Sequence, residues 1–488
     1  MPRATQFAIL LSILGIAARV IWIDQPYIDN WSWRQSDVAA IARNYFTGGF
    51  HLTRPQIDWA GDQPGYVGTE FPILPFIAAL CYKFFGVHEW IGRAQAVVLF
   101  AVSLPFFFLL MREIFSENAA IWAAFFYIFA PVNLFASREF MPDTPSLSLG
   151  IVGLYFFLRW VERPSAKLLL VSAVAISLSI LIKAPSAIIG APLACLAFQR
   201  FGATTFRRIE LWIFAAIALL PAAIWYAHAY DIAAQFYPHH FFGAGGIRIM
   251  NASWYWKIAR QVATSSLTPV LFALALGGAF VARPTRRARF LYWWLAAMIL
   301  FIVVVGYGNR HHWYQLPLVP VAAAFAGAAC GFMAQRFSLP RTPRCALSIL
   351  LAVSFGVSAL AYVRPLYHSH ASTALRDLGL ELKTATPPNA LIVGADNGDP
   401  TAFYYAERKG WHFLEQDGIF LGVPLDSSQA VVDLEKLRHH GATHLVFTWA
   451  TRWWLDYYKE FTQHLQAHST LVKETPEFTI YRLDPPAE

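Results

Sequence analysis

The stretch "FAILLSILGIAARVIWIDQPYIDNWSWRQSD", residues 7–37, changes character near its middle. Residues 7–23 are almost wholly apolar and approach the ~20 residues needed to cross a bilayer core. They follow Arg3 but lack a small-x-small cleavage site and run to Trp22 at the far edge, which predicts an uncleaved anchor and not a signal peptide. Directly after them come Asp29, Trp31, Trp33, Arg34, Gln35 and Asp37. Trp and Tyr favour the headgroup level, so an interfacial belt is the simplest reading. A reaction centre at the membrane surface is the alternative, and the rest of the chain bears on which applies.

The composition points to a membrane protein. Of 488 residues, 57% are hydrophobic and 14% charged, against about 25% charged in a soluble domain. The net charge of +8 comes from basic residues in short clusters between apolar runs. That is the pattern of topology determinants, and it argues against nucleic-acid binding. Cys81, Cys195, Cys330 and Cys345 lie in or beside apolar stretches without CxxC or Cys/His spacing, so neither a disulfide framework nor a thiolate zinc site is indicated.

Apolar runs near spanning length occur at about 7–23, 94–111, 119–136, 144–160, 168–183, 185–199, 210–228, 264–282, 290–306, 314–335 and 345–363. The expectation is a polytopic α-helical membrane protein of about eleven transmembrane helices, with its termini on opposite sides. Placing the N-terminus in the cytoplasm puts Arg112, Arg159, Arg163, Lys167, Arg200, Arg207, Arg208 and the clusters at 283–289 and 336–344 inside. The short outer connections then carry few basic residues, Arg138, Lys183 and Arg310 being the exceptions. This predicts a multi-pass protein of the cell (inner) membrane with its C-terminal domain extracytoplasmic.

Three outer segments are long or unusual. Within residues 24–93, Val38, Ile41, Ala42, Tyr45 and Phe46 predict an amphipathic helix capped by Ser36 or Asp37 and ended by Gly48-Gly49. "FPILPFIAALCYKFFG" (71–86) predicts a second interfacial helix. Residues 229–263 combine Gly243, Gly245 and Gly246 with aromatics and Arg248, which suggests a lid over a bound donor. Beyond residue 363 the chain turns polar, with strand-like runs at 390–394, 443–447 and 478–483 and helix-like runs at 400–409 and 428–440. The domain expectation is therefore a membrane domain over 1–363 and a soluble α/β domain over 364–488. "VGADNGDP" after its first strand is a βα turn without dinucleotide or P-loop glycine spacing.

On this topology the polar residues without a plain structural role share one face. They are Asp29, Arg34, Gln35, Asp37 and Glu70, then Arg138, Glu139 and Asp143 in "SREFMPD", Lys183 in "LIKAP", and His311, His312 and Tyr314 in "NRHHWY". Each alone has a dull reading: Asp143 caps the helix starting at Thr144, Lys183 snorkels, the histidines sit in an aromatic belt. Ionisable residues gathered near a bilayer mark a functional site by default.

The ordered set "WRQSDVAAIARNY", "GTEFPILPFIAALCYKFFG", "SREFMPDTPSLSL", "LIKAP" and "HHWYQLPLVP" resembles the polytopic glycosyltransferases with the GT-C fold, the group containing protein O-mannosyltransferases and lipid A aminoarabinose transferases. The resemblance runs over residues 1 to about 363, and the soluble tail is similar to that of several relatives. It implies a sugar taken from a polyprenyl phosphate and moved to an acceptor on the non-cytoplasmic side, with membrane lipids as surroundings. Asp143 matches the acid opening the second outer loop. In the first loop, Arg34 stands where relatives show Asp, leaving Asp37 one turn away, favoured here because it opens the helix, and Asp29 upstream. Glu70 matches a glutamate able to bind a divalent cation, and His228, His239 or His240 would complete such a site for Mg²⁺, Mn²⁺ or Zn²⁺. The Lys that often follows that glutamate is Phe71 here, so Arg34, Arg138 or Lys183 would supply the phosphate's positive charge.

The chemistry agrees with the residue types. A sugar leaving a lipid monophosphate departs as a stable anion, so the reaction needs a base for the acceptor hydroxyl and positive charge for the phosphate. The competing readings are a polysaccharide polymerase or ligase using lipid-diphosphate donors, and a lipid or sugar transporter. A transporter would carry midplane ionisable residues and internal repeats, and neither is evident in the sequence. The identity of the acceptor, whether lipid, glycan or protein, is not written in these motifs.

Overall fold

The computed structural model describes residues 3–242, 246–281, 287–337, 340–416 and 419–486, and in it all eleven apolar runs are helical over most of their length. Seven helical stretches are long and apolar enough to cross a membrane: Arg3–Val20, Glu89–Ile114, Asp143–Glu162, Ala184–Arg207, Ile209–Gln235, His312–Arg336 and Thr342–Ala385. Ala252–Ser266 and Pro269–Val281, bent by 107° where they meet, form an eighth if the pair is one span. The other apolar helices are shorter: Glu117–Phe129 with 13 residues, Ala166–Ile182 with 17 and Arg289–Val304 with 16. Length alone therefore supports seven or eight of the expected eleven spans among the described residues. The run 119–136 is cut for a local reason. Ala130 precedes Pro131 and adopts φ −58°, ψ 135°, the extended conformation that a following proline imposes, and a six-residue helix Pro131–Ala136 follows it.

The chain divides into two compact units. The first comprises residues 1–23, 92–225 and 243–366. Its interior relies on small residues: Val319–Arg336 buries a continuous row from Val319 to Gly331 that is mostly alanine and glycine. Ideal Cβ atoms on Gly327 and Gly278 would fall 2.4 Å from Ala119 O and 1.8 Å from Phe325 O, so helix backbones touch where lipid supplies no hydrophobic drive for association. One charge inside the apolar bundle was not singled out from the sequence. Arg19 is fully buried, donates to Gly15 O and Ile128 O at 2.8 Å and to Ser137 Oγ, and lies 3.7 Å over the Phe100 ring. It satisfies the Ile128 carbonyl near the end of Glu117–Phe129, one of those that a helix leaves without internal partners where it stops.

The second unit comprises residues 24–91, 226–242 and 367–488. A domain boundary at residue 363/364 thus describes the chain incompletely, because the C-terminal sheet shares its unit with the first outer segment. Strands β1 (Leu391–Ala395), β2 (Lys409–His412), β5 (His444–Thr448), β6 (Ser469–Glu474) and β7 (Phe478–Leu483) make a mixed sheet in the order β2-β1-β5-β7-β6, and β3 (Glu415–Gln416) with β4 (Ile419–Phe420) makes a two-stranded one. β1 is parallel to β2 and β5, while β7 is antiparallel to β5 and β6. Leu375, Leu378 and Phe403 pack on one face and Leu434, Trp454 and Phe461 on the other.

The two helices of the first outer segment are present. Ile73–Phe85 is two-faced, burying Leu74, Ala78 and Tyr82 and exposing Ile77, Leu80, Phe84 and Phe85, as an interfacial helix requires. The other departs from expectation. It runs Ser32–Gly48, so neither Ser36 nor Asp37 caps it, and the Asp29 carboxylate instead receives Trp31 N–H just ahead of its first turn. Twelve of its 17 residues are buried, polar ones included, so it is a core helix of its unit. Its apolar stripe packs within 24–91, and its polar side meets the C-terminal domain through Ser36–Thr401 and Arg43–Tyr404 O.

Candidate active site

The second unit gathers most of the first-loop candidates on the Ser32–Gly48 helix. Asp29 is fully buried and receives Gln35 Nε2 at 2.9 Å on both oxygens, which fixes the turn entering the helix. One turn on, Arg34 Nη2 lies 2.8 Å from both oxygens of Glu70, whose Oε2 also accepts Thr69 Oγ1 at 2.9 Å. The guanidinium sits 4.7 Å over the Phe242 ring, an arrangement suited to its flat, weakly hydrated charge. Gly68 makes this meeting possible. It pairs with His240 O and Phe242 N–H, and a Cβ there would fall 2.3 Å from Ala229 O.

Asp37 occupies the next turn, 3% exposed, and accepts Trp59 Nε1–H at 3.0 Å. Burial pushes its carboxyl up to about 6, opposed first by the Arg34 charge and then by the Trp59 hydrogen bond and His412. Around it stands a set of residues that the sequence reading did not select. His412 Nδ1 is 2.8 Å from Asp396 Oδ1, and the Trp59 ring lies 5.3 Å from the His412 ring. Burial works against a charged His412, but Asp396, by charge and hydrogen bond, and then Asp37 and Asp399 carry it above the usual histidine range. Burial likewise lifts Asp399 to about 6, against its bonds from Thr401. Asp396 and Asp399 follow β1, at the carboxyl end of a parallel strand and beside the point where the chain's direction across the sheet reverses, the usual place for chemistry in α/β sheets. That position, in "VGADNGDP", is the available sequence signal; glycine spacing alone does not reveal it.

The metal candidates do not converge. His228 Nε2 lies 2.9 Å from Thr53 O and His239 Nδ1 3.3 Å from Ala233 O. His240 is pushed down to about 4 by burial and then by Arg34, so it is neutral at ordinary pH. Among the described residues no three His, Cys, Asp or Glu side chains stand close enough to hold a metal ion, and Glu70 has a guanidinium on both oxygens.

The first unit holds the second-loop candidates. Asp143 is the first residue of its helix, and Pro142 holds the cap position without a side-chain cap bond. The cap reading therefore fails. Asp143 instead forms a buried pair with Lys183 Nζ at 3.1–3.2 Å, and that ammonium lies 5.3 Å over the Tyr314 ring. Asp143, Lys183, Ser186, Trp313 and Tyr314 line one narrow pocket. His311 stacks on Trp313 at 4.3 Å, while His312 Nε2 turns to Ser265 Oγ at 2.9 Å. Lys183 does not snorkel, being 7% exposed with its charge directed inward. Arg138 is wholly buried, bonds Trp22 O and lies 3.8 Å from Glu139; a guanidinium so enclosed ties helix ends together and is not placed to meet a lipid phosphate. Of the expected lid, Gly243 and Gly245 lie outside the described residues. Residues 246–261 belong to the 303–308 region: Tyr255 Oη donates to Val303 O, Trp254 Nε1 donates to Gly306 O and Trp254 stacks on Tyr307 at 5.8 Å.

Residues 62–227 match the family model of the dolichyl-phosphate-mannose-protein mannosyltransferases. No curated protein matches the chain by sequence. Among solved structures, ArnT from Cupriavidus metallidurans in the apo state is similar over 99% of this chain and 98% of its own, with TM-score 0.68 and 15% identity. The same protein bound to undecaprenyl phosphate is similar over 98% of each chain, with TM-score 0.66 and 15% identity. The oligosaccharyltransferase of Archaeoglobus fulgidus in complex with Zn and sulfate is similar over 98% of this chain and 73% of its own, with TM-score 0.64 and 15% identity. The likeness is one of fold and runs the length of the chain: the protein has the GT-C fold.

Proposed function

We propose that this chain is a membrane glycosyltransferase that moves a sugar from a polyprenyl phosphate to an acceptor hydroxyl on the extracytoplasmic face, with inversion at the anomeric carbon. In the step, the acceptor oxygen bonds to the anomeric carbon as the bond from that carbon to the phosphate oxygen breaks. The lipid phosphate leaves as an anion and the acceptor's proton passes to a carboxylate. The observation that carries the reading is Asp37, a buried carboxyl held near 6 one helical turn from Arg34. A base with that affinity is ionised at neutral pH and still takes a proton readily. Fixed cations in a buried site stabilise the phosphate charge that grows as the sugar departs, and Arg34 supplies one beside Asp37; in the other unit Lys183, held by Asp143, is a separate candidate cation. Trp313 and Tyr314 line the pocket beside Lys183, and His311 stacks on Trp313. The match of residues 62–227 to a mannosyltransferase family and the fold shared with a protein known bound to undecaprenyl phosphate support the donor class.

The test is reconstitution of the purified protein in liposomes with polyprenyl-phosphate sugars and extracted envelope acceptors, following label in the product. Asp37→Asn is expected to lower transfer by roughly 10²–10⁴-fold while leaving binding of undecaprenyl phosphate in place, and the product linkage is expected to be opposite in configuration to the donor's. Transfer at the wild-type rate by Asp37→Asn removes Asp37 as base, and transfer independent of a lipid-phosphate donor removes the reading. Orientation is tested separately in a background lacking the four native cysteines: a cysteine at Thr204 is expected to be shielded from an impermeant reagent in whole cells, and one at Ser428 to be labelled.

A further inference from the structure

A fold known with zinc and sulfate bound raises the question of what neutralises Glu70 in this chain. A divalent ion would require carboxylate and imidazole donors about 2.0–2.2 Å away. Arg34 Nη2 instead stands 2.8 Å from both Glu70 oxygens, and Thr69 Oγ1 donates to one of them. The pair is nearly closed to solvent, with the Arg34 side chain 7% and the Glu70 side chain 15% exposed. A dication brought to that carboxylate would lie within a few ångströms of a guanidinium that cannot lose its proton, in surroundings that screen charge poorly.

We infer that Arg34 is the resident cation of this site: its guanidinium fills the place on Glu70 that a metal ion would take, so the lipid-phosphate donor is bound without any divalent cation. The inference rests on the proposed donor class only for its functional consequence, since the occupancy of Glu70 is settled by metal content alone. Replacing Arg34 by a carboxylate removes the blocking charge and leaves two acids and the His240 imidazole among the side chains of this unit, oxygen and nitrogen donors of the kind zinc accepts. The sequence therefore exchanges a soft dependence on metal supply for a covalently fixed charge.

The experiment uses the full chain in lipid nanodiscs and measures bound metal by mass spectrometry of the elements, together with undecaprenyl-phosphate binding before and after exhaustive chelation. Wild type is expected to carry no stoichiometric zinc, manganese or magnesium and to bind the lipid equally well after chelation. Arg34→Asp is expected to retain one zinc per chain, lost on chelation, or on adding the His240→Ala change. Arg34→Lys, which keeps the charge, guards against misfolding and is expected to remain metal-free with lipid binding weakened by less than about tenfold. A wild-type protein holding one equivalent of metal, with lipid binding abolished by its removal, overturns the inference. So does an Arg34→Asp protein that stays monodisperse yet takes up no zinc. Failure of metal-free wild type to bind undecaprenyl phosphate counts against the donor class instead, leaving the assignment of Arg34 to Glu70 to the metal measurements.

Discussion

Trp59 donates its indole N–H to the Asp37 carboxylate across 3.0 Å, and the same ring lies 5.3 Å from the His412 ring and 5.4 Å from the His240 ring. A loop residue thus links a helix acid to a histidine of the C-terminal sheet within one unit. The indole is a donor only, so it favours the ionised form of Asp37 against the burial that raises its affinity for protons.

The first prediction follows from that sign. With Asp37 as base near 6, kcat/KM falls as pH drops through that value. Trp59→Phe removes the hydrogen bond that favours the carboxylate and keeps most of the ring, so the acid limb of the profile moves to higher pH, by about half a unit to one unit. A profile measured from pH 5 to 8.5 checks this, and an unmoved or downshifted limb is the contrary result.

The same acid has a stability signature. A carboxyl whose folded value is about 6 against 3.8 in the open chain stabilises the fold when protonated; that contribution is complete below 3.8 and lost as pH rises through 6. At about 1.4 kcal/mol per unit, its ionisation costs about 3 kcal/mol of stability at pH 8. Asp37→Asn is therefore expected to melt higher than wild type at pH 8 and no higher at pH 4, while losing transferase activity. Equal melting shifts at both pH values count against a buried, ionising Asp37.

The pair Asp143–Lys183 separates packing from chemistry. Both are buried and 3.1 Å apart, so removing one partner strands a charge and costs about 3–5 kcal/mol, whereas removing both relieves it. Asp143→Asn and Lys183→Met singly are expected to lower the melting temperature, and the double change to recover most of the loss without recovering transfer. Recovery of both together would make the pair purely structural.

What could be read from the sequence follows physical range. The apolar runs, β1, β5, β7 and the helix breaks at Gly49 and Gly86 are local signals, and they stand where periodicity and glycine place them. Glu70, Asp143 and Lys183 stand out as candidates because a charge beside lipid has few dull explanations. Three features escaped because they depend on distant partners. Arg19 lay inside an apolar run whose partners, Ile128 and Ser137, are more than a hundred residues away. The start of the Ser32–Gly48 helix was misplaced because its polar face buries against residues near 372–404 and not in water. His412 and Asp396 acquire meaning only once the sheet brings them to Trp59 and Asp37. Arg34 on Glu70 is a pairing that no spacing rule announces.

Two adjacent glycines give the last prediction, on how the helices of the first unit hold together. In Pro269–Val281, a Cβ on Gly278 would fall 1.8 Å from the carbonyl oxygen and 2.5 Å from the carbonyl carbon of Phe325, whereas one on Gly277 meets nothing within 4 Å. The obstacle at Gly278 is backbone, which cannot rotate away, and Tyr292 braces the contact by donating to Ala279 O at 2.7 Å with its ring 4.9 Å from that of Phe325. Gly278→Ala must therefore push Pro269–Val281 off Val319–Arg336 and is expected to cost at least about 1–3 kcal/mol, the usual range for overpacking. Gly277→Ala gains helix propensity worth up to about 1 kcal/mol with no clash to offset it. In detergent, thermal melting is expected to place Gly277→Ala at or above wild type and Gly278→Ala well below it. Equal effects of the two changes would mean that the helices do not pack at Gly278, and that the small residues of "VAAAFAGAACG" serve some purpose other than close approach.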